Sequence, residues 1–297
     1  QNNHWLSLFD VDRSCILDPL TQPLPFTPFK DFTGRSINEI NLYSTEMSSA
    51  LCSIDRVSAS ANMNNRLSEA IVEAYKSTNG APISFELMLK CYQSRMKDAN
   101  NDDSISSVLK QLVNAHIFES EDKVSLIDDS YIIKMDGYPK DGPIAKAIVY
   151  FLMSKLNNIY ELLDKQAVND EVVQIRHFSI IDEAHYMLDF DNRPLRNLIA
   201  VGRNKGLSII LATQNMSSFK SKGFDFYANA QYPLIMKQQT IDDKVIKDLF
   251  GVSGQELQEI RTAIAGLQKG ELIIKDQMAF ALGMGNKYKK INVTHLI

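Results

Sequence analysis

Apolar positions in this chain fall into two rhythms. From Ser36 to about Phe118 they recur every three or four residues, in four sets. Ile37, Ile40, Tyr43, Met47, Ala50 and Ile54 make the first, and Leu67, Ala70, Ile71, Ala74 and Tyr75 the second. Phe85, Met88, Leu89, Tyr92 and Met96 make the third, and Ile105, Val108, Leu109, Leu112 and Val113 the fourth. Each set predicts an amphipathic helix with one buried stripe. The punctuation agrees. Ser36 with Glu39 has the form of a capping box, Asn79-Gly80 stops the second helix, and Pro82-Ile83-Ser84 opens the third. Asn100 to Asp103 reads as a loop, without the alternating oxygens and final glutamate of a calcium loop. Gly142-Pro143 then opens a longer helix with Ile144, Ile148, Phe151, Leu152, Leu156, Ile159 and Leu163 inward.

Outside that block the rhythm changes to short apolar runs. Ser14–Leu20 and Ser130–Asp136 read as strands, and the proline-rich Gln22–Phe29 as an extended connector. Phe178 to Ile181 predicts a buried strand with helices on both faces, and it ends in Asp182-Glu183. Leu207 to Leu211 predicts another, which ends in Ala212-Thr213-Gln214. Asn192 to Lys205 between them reads as a helix, with Pro194 in its first turn and Gly206 at its end. Strand, helix and strand over so few residues predict a right-handed βαβ unit with parallel strands. The carboxyl ends of both strands then adjoin, and Gln214 faces the same place as Asp182 and Glu183. Beyond them, Tyr232–Lys237 reads as a strand, while Thr240 with Asp243 and Ser253 with Glu256 cap two helices. Gly270–Lys275, Met278–Leu282 and Lys290–Val293 read as hairpin strands.

Composition narrows the picture a little. A chain of 297 residues with 44% hydrophobic and 23% charged residues is ordinary for one large α/β domain or a domain with a sub-domain. No apolar run reaches the length of a membrane span, and no signal peptide is visible. Cys15, Cys52 and Cys91 have neither disulfide nor zinc spacing, so a cytoplasmic location is expected. The five histidines form no ligand pair, and the net charge of −4 excludes a surface that is basic throughout. Contact with nucleic acid must then come from a local feature, such as the pore loops of a ring, while the polar, basic loop Ser217–Gly223 reads as a solvated surface turn or as a contact to phosphate or to a neighbouring subunit. Lys287-Tyr288-Lys289-Lys290 is a second, smaller basic cluster that reads as a solvated tail.

The chemistry sits at the two strand ends. In nucleotide hydrolases an acid at such a place holds Mg²⁺, and a second acid orients the attacking water. With Ile180-Ile181-Asp182-Glu183-Ala184-His185, Ala212-Thr213-Gln214, the turn Gly202–Gly206 and the late Leu267-Gln268-Lys269-Gly270-Glu271, the chain resembles the HerA/FtsK superfamily of ring-forming, DNA-pumping P-loop ATPases. Its helical insertion looks like that of the conjugation-type branch and of the ATPase component of phosphorothioate-dependent DNA restriction systems.

The resemblance implies an α/β, RecA-like, mostly parallel sheet with helices on both faces and an all-helical insertion. Residues 1–35 would start the ATPase core, 36–125 form the insertion, and 126–297 carry the Walker B and sensor strands. Asp182 would hold Mg²⁺ through water, Glu183 act as the base, and Gln214 read the γ-phosphate of ATP. Arg203, or else Arg196, would reach a neighbouring subunit's nucleotide. The assembly would be a homo-oligomer, a hexamer around double-stranded DNA, with further subunits of its system. No G-x-x-x-x-G-K-[S/T] occurs in the sequence, so the phosphate loop is expected before Gln1, and the 297 residues alone are expected to be inactive. Two other classes compete: an inactive scaffold or DNA-binding regulator, and a fragment of a two-lobed DEAH-type helicase. Only 83 residues follow Gln214, too few for a second lobe. Three intact polar residues at the strand ends speak against decay, since buried acids without a use are costly to keep.

Overall fold

The computed structural model describes residues 15–54, 59–98, 101–169, 172–221, 224–282 and 287–293. The chain divides into two compact units. One comprises residues up to Ser179 together with Phe190–Ile209, and the other Ile180–Asp189 together with the residues from Ile210 onward.

The first unit opens with β1 (Ile16–Leu17). Helices α1 (Ile37–Ile54), α2 (Ala61–Ser77), α3 (Phe85–Gln93) and α4 (Ser104–Ala115) follow. The first and third start as the sequence predicts. Glu39 accepts hydrogen bonds from the Ser36 amide and hydroxyl at 3.0 Å, and Ser84 accepts the Leu87 amide at 3.2 Å. Asp103, the last residue of the expected loop, does more than cap α4. It also accepts the Tyr92 hydroxyl at 2.7 Å and pairs with Arg66 at 3.2 Å, so three helices meet on one carboxylate. β2 (Ile132–Ile133) lies parallel to β1, with Ile16 opposite Ile132.

The proline-rich connector is not helical, as expected, but it bends rather than running extended, with the Phe26 amide donating to Leu24 O at 2.8 Å, and it is also core. Leu24, Phe26 and Phe29 are buried, and the Leu24 amide donates to Ile117 O while Leu24 O accepts the Glu119 amide. Phe29 then meets Phe85 and Phe151 edge-to-face, at 4.9 and 5.7 Å between centroids. Phe151 belongs to the long α5 (Pro143–Leu162), so aromatic contacts bind the connector, the helical block and α5 together. Short strands β3 (Val168–Asn169) and β4 (Val172–Val173) form a hairpin that the sequence does not signal.

β5 (His177–Ile181) and β6 (Leu207–Leu211) hydrogen-bond to each other, with α6 (Arg193–Val201) and a 3₁₀ turn (Gly202–Lys205) between them in the chain. Asn192 caps α6 by accepting the Leu195 amide, so the helix begins one residue later than predicted. β5 is not covered on both faces: Phe178 is 56% and Ile180 69% exposed. The expectation of a buried strand fails because β5 alternates, with only His177, Ser179 and Ile181 turned toward cover.

In the second unit a 3₁₀ turn (Met216–Phe219) leads to β7 (Lys220–Ser221), β8 (Phe224–Asp225) and the single-turn α7 (Phe226–Asn229). β9 (Leu234–Met236), α8 (Asp243–Phe250), α9 (Gly254–Ala265), β10 (Glu271–Lys275), α10 (Gln277–Leu282) and β11 (Tyr288–Asn292) follow. The three strands form an antiparallel sheet in the order β11-β10-β9. Ile235 and Ile273 pair on one face and pack on Val245, Ile246, Phe250, Leu257 and Ile260.

Three local expectations are corrected here. Asp242, rather than Thr240, caps α8, because its carboxylate reaches the amides of Lys244 and Val245. Ser253 stands at the start of α9 without a side-chain cap. Gln277–Leu282 is a helical turn and not a strand, since the Asp276 carboxylate accepts the Met278 amide and starts one. Among the described residues no helix is long and apolar enough to cross a membrane.

Leu67 is wholly buried in the helical block, whereas Leu42 is exposed. Leu67→Ala is expected to cost about 2–5 kcal/mol in denaturant unfolding, and Leu42→Ala to stay within about 0.5 kcal/mol.

Candidate functional site

Two backbone hydrogen bonds frame the acid pair. The Ala212 amide donates to Ile181 O at 2.9 Å, and Ala212 O accepts the Ala184 amide at 2.7 Å. Asp182 and Glu183 lie between these bonds and must leave the line of β5. Asp182 is exposed, and its Oδ1 accepts the Glu183 amide at 2.9 Å. Glu183 adopts φ 51° and ψ 40°, the left-handed region, and a 3₁₀ turn (Ala184–Met187) follows it. A glutamate there costs on the order of 1–2 kcal/mol in backbone strain. Three described residues other than glycine take positive φ, and the other two, Asn79 and His116, lie at helix ends. Glu183 stands at the end of a strand.

The carboxylate of Glu183 gives that strain an offset. Gln214 Nε2 donates to Glu183 Oε1 at 2.6 Å, a charge-assisted bond. Glu183 Oε2 is out of solvent, with His185 Nδ1 3.4 Å away. Thr213 Oγ1 lies 3.3 Å from the same ring nitrogen, and the Tyr186 ring covers the imidazole with 4.0 Å between centroids. The structure thus brings together Asp182, Glu183 and Gln214, as the sequence predicts. It adds His185 and Thr213, whose part could have been read from their places beside Glu183 and Gln214.

Among the described residues no cluster of three His, Cys, Asp or Glu could hold a metal ion unaided. Asp182 offers one exposed carboxylate, already oriented by its own turn. That donor set fits Mg²⁺, which is commonly held by one or two carboxylates, waters and substrate phosphates rather than by a protein cage.

The predicted arginines belong to the first unit and differ from each other. Arg196 is tied to Asp191, which also accepts the Ser49 hydroxyl at 3.2 Å. The Asp191 amide donates to the Ser53 hydroxyl at 3.0 Å, so this ion pair is part of the join between α1 and α6. Arg203 is exposed on the 3₁₀ turn, with no ion pair among the described residues. Lys205, in the same turn, has a structural task. Its ammonium donates to Tyr160 O and Glu161 O at 2.5 and 3.0 Å and so caps the end of α5.

Of the expected basic loop, Lys222 and Gly223 lie outside the described residues, and Ser217–Phe219 form part of the 3₁₀ turn. The second basic cluster is neutralised, because Lys287, Lys289 and Lys290 pair with Glu256, Asp276 and Glu271. The hydrogen bond from Lys290 holds the Glu271 carboxyl below the usual range.

Comparison with known proteins supplies a fold. No protein-family model matches the chain, and no curated protein matches it in sequence. Among solved structures it is similar to VirB4 of Thermoanaerobacter pseudethanolicus, with a TM-score of 0.65 and 15% identity over 99% of this chain and 79% of that one. It is also similar to the bacterial conjugative coupling protein TrwB in its unbound form, at TM-score 0.56 and 12% identity over 94% of this chain and 73% of TrwB. TrwB in complex with ADP and Mg²⁺ matches at TM-score 0.55 and 12% identity, over 95% of this chain and 74% of TrwB. The chain has the α/β fold of these proteins, and the RecA-like expectation is met at the level of fold.

Gly206 holds the strand register. Its φ is 83°, and a Cβ there would stand 2.8 Å from Gln174 O and 3.0 Å from the Arg176 amide nitrogen. Gly254 also has positive φ but faces open space. Gly206→Ala is therefore expected to speed amide exchange at Arg176 and His177 and to cost about 1–3 kcal/mol. Gly254→Ala should cost about 1 kcal/mol, and equal effects at both glycines would count against the close approach.

Proposed function

We propose that this chain is the motor part of an ATP-driven, ring-forming DNA translocase. The observation that carries the proposal is the hydrogen bond from Gln214 to Glu183, beside Asp182, at the ends of two adjacent strands. The fold shared with VirB4 and TrwB supports it, and so do the TrwB structures in complex with ADP and Mg²⁺ and with a non-hydrolysable ATP analogue.

Each residue then has a distinct task. Asp182 would hold Mg²⁺, and the ion would supply positive charge to the phosphate oxygens. Glu183 accepts the proton of the attacking water. Gln214 carries two amide hydrogens, of which one is engaged by Glu183 and the other is available to a γ-phosphate oxygen. Presence of the phosphate is thereby linked to the position of the base. Arg203 acts on a neighbouring subunit's nucleotide, the role for which Arg196, bound to Asp191, is less suited.

The assembly is a hexamer around double-stranded DNA. The net charge of −4 gives a lone subunit little electrostatic hold on a duplex, whereas inward-facing basic loops of a ring act together. Restriction of foreign DNA is one programme that such a motor would serve.

Two experiments on the full-length protein test this reading. Glu183→Gln is expected to preserve nucleotide binding and to lower ATP turnover about a hundredfold or more. Unchanged turnover would take the base role from Glu183. Mixing Glu183→Gln subunits with Arg203→Ala subunits, each inactive alone, should restore part of the ATPase in mixed rings. No recovery, with mixing verified, would assign Arg203 to its own subunit.

A further inference from the structure

We propose that Lys205 is a positioning residue for Arg203; the proposal rests on the reading of Arg203 as the group that acts on a neighbouring subunit's nucleotide. An arginine side chain is long and rich in rotamers, so it meets a fixed point outside its own subunit only from a backbone that is held still. The 3₁₀ turn that carries Arg203 cannot hold itself by packing, because its buried residue is Gly202. It is held by polar bonds instead. Asn204, Lys205 and Gly206 follow Arg203 directly, and each is fastened to a different part of the first unit. Asn204 O accepts the Gln166 amide at 2.9 Å, and Gly206 O accepts the amides of Arg176 and His177 at 2.7 and 3.2 Å. The Lys205 ammonium donates to Tyr160 O and Glu161 O at 2.5 and 3.0 Å.

Two of these anchors are main-chain carbonyls. The third depends on a side chain, so position 205 is where the sequence sets how firmly the turn is held. Its chemistry suits the place. A helix leaves its last carbonyls unpaired and carries partial negative charge there, while an ammonium has three hydrogens to give. The ground beneath the anchor is firm: Tyr160 is buried, and Glu161 pairs with Lys30 at 3.0 Å and accepts the Asn157 side-chain amide at 2.9 Å. Phe151 and Leu156 of the same helix lie in the core. Arg203 itself is exposed with no ion pair among the described residues, so its aim comes from the turn. Loss of the Lys205 bonds leaves Arg203 present on a looser backbone, and the loss is felt at the neighbour's site rather than at its own.

The test uses the full-length protein with two readings. Lys205→Met keeps the aliphatic stem and removes the donors. It is expected to lower kcat for ATP about tenfold at unchanged KM, and to add no further loss in an Arg203→Ala background. Lys205→Arg, which returns a charged donor, should recover kcat to within about threefold of the parent. Lys205→Gln, a neutral donor, should fall between the two and serves if Lys205→Met does not fold. Mixed rings separate positioning from a general weakening of the subunit. Lys205→Met mixed with Glu183→Gln should exceed the weighted mean of the separate activities, because some interfaces then join an intact Glu183 to an intact Arg203 turn. Lys205→Met mixed with Arg203→Ala should stay at that mean. The second reading is amide exchange at Gly206, whose N–H donates to Arg203 O at 3.0 Å, and it needs no nucleotide. Exchange there should be about tenfold faster in Lys205→Met and parent-like in Lys205→Arg.

A parent-like kcat in Lys205→Met would overturn the proposal. So would recovery with Arg203→Ala in place of Glu183→Gln, which would put the defect in the subunit's own site. If Glu183→Gln and Arg203→Ala subunits fail to restore each other, the reading of Arg203 falls instead, and exchange at Gly206 would still decide whether Lys205 fixes the turn.

Discussion

The Arg176 and His177 amides both donate to Gly206 O, at 2.7 and 3.2 Å, where β5 and β6 begin. At the far end Ala212 bonds both Ile181 and Ala184. Residue numbers rise together from one end to the other, so the strands are parallel and their register is fixed twice. A shift of one residue would turn alternate side chains to the opposite face and separate Gln214 from Glu183. The close approach at Gly206 therefore belongs to the register of the two strands, although the glycine bears no reactive group.

Strain and polar bonding are balanced at that far end. Glu183 leaves the strand through a backbone region that non-glycine residues rarely use, and its carboxylate is gripped as it does so. The same bonds that offset the strain define where the carboxylate points. Elsewhere charge serves attachment instead. Lys205 closes the end of α5, and Arg196 joins Asp191 where α1 meets the start of α6. Arg203, between them in sequence, is exposed.

The helical block was legible in the sequence because a 3.6-residue rhythm and cap residues are local properties. Ser36, Glu39 and Ser84 act within four residues of themselves, and their tasks follow from spacing alone. The Asp182, Glu183 and Gln214 constellation was legible for a related reason: two short apolar runs around a helical segment leave few topologies open. The caps of α8 and α9 and the helical turn at Gln277 were misread because Asp242, Ser253 and Asp276 each offer several local bonding choices of similar free energy.

The sequence by itself determined the helices of the first block, the two strands that precede Asp182 and Ala212, and which polar residues stand at their ends, since side-chain period and chain connectivity are written along the chain. Tertiary structure alone decided that the proline-rich connector is core and that one face of β5 is open. It decided as well that Asp103 gathers three helices and that Lys205 is a cap. Each of these depends on which surfaces meet across tens of residues, and burial and hydrogen bonding at such a distance carry no periodic trace in the sequence.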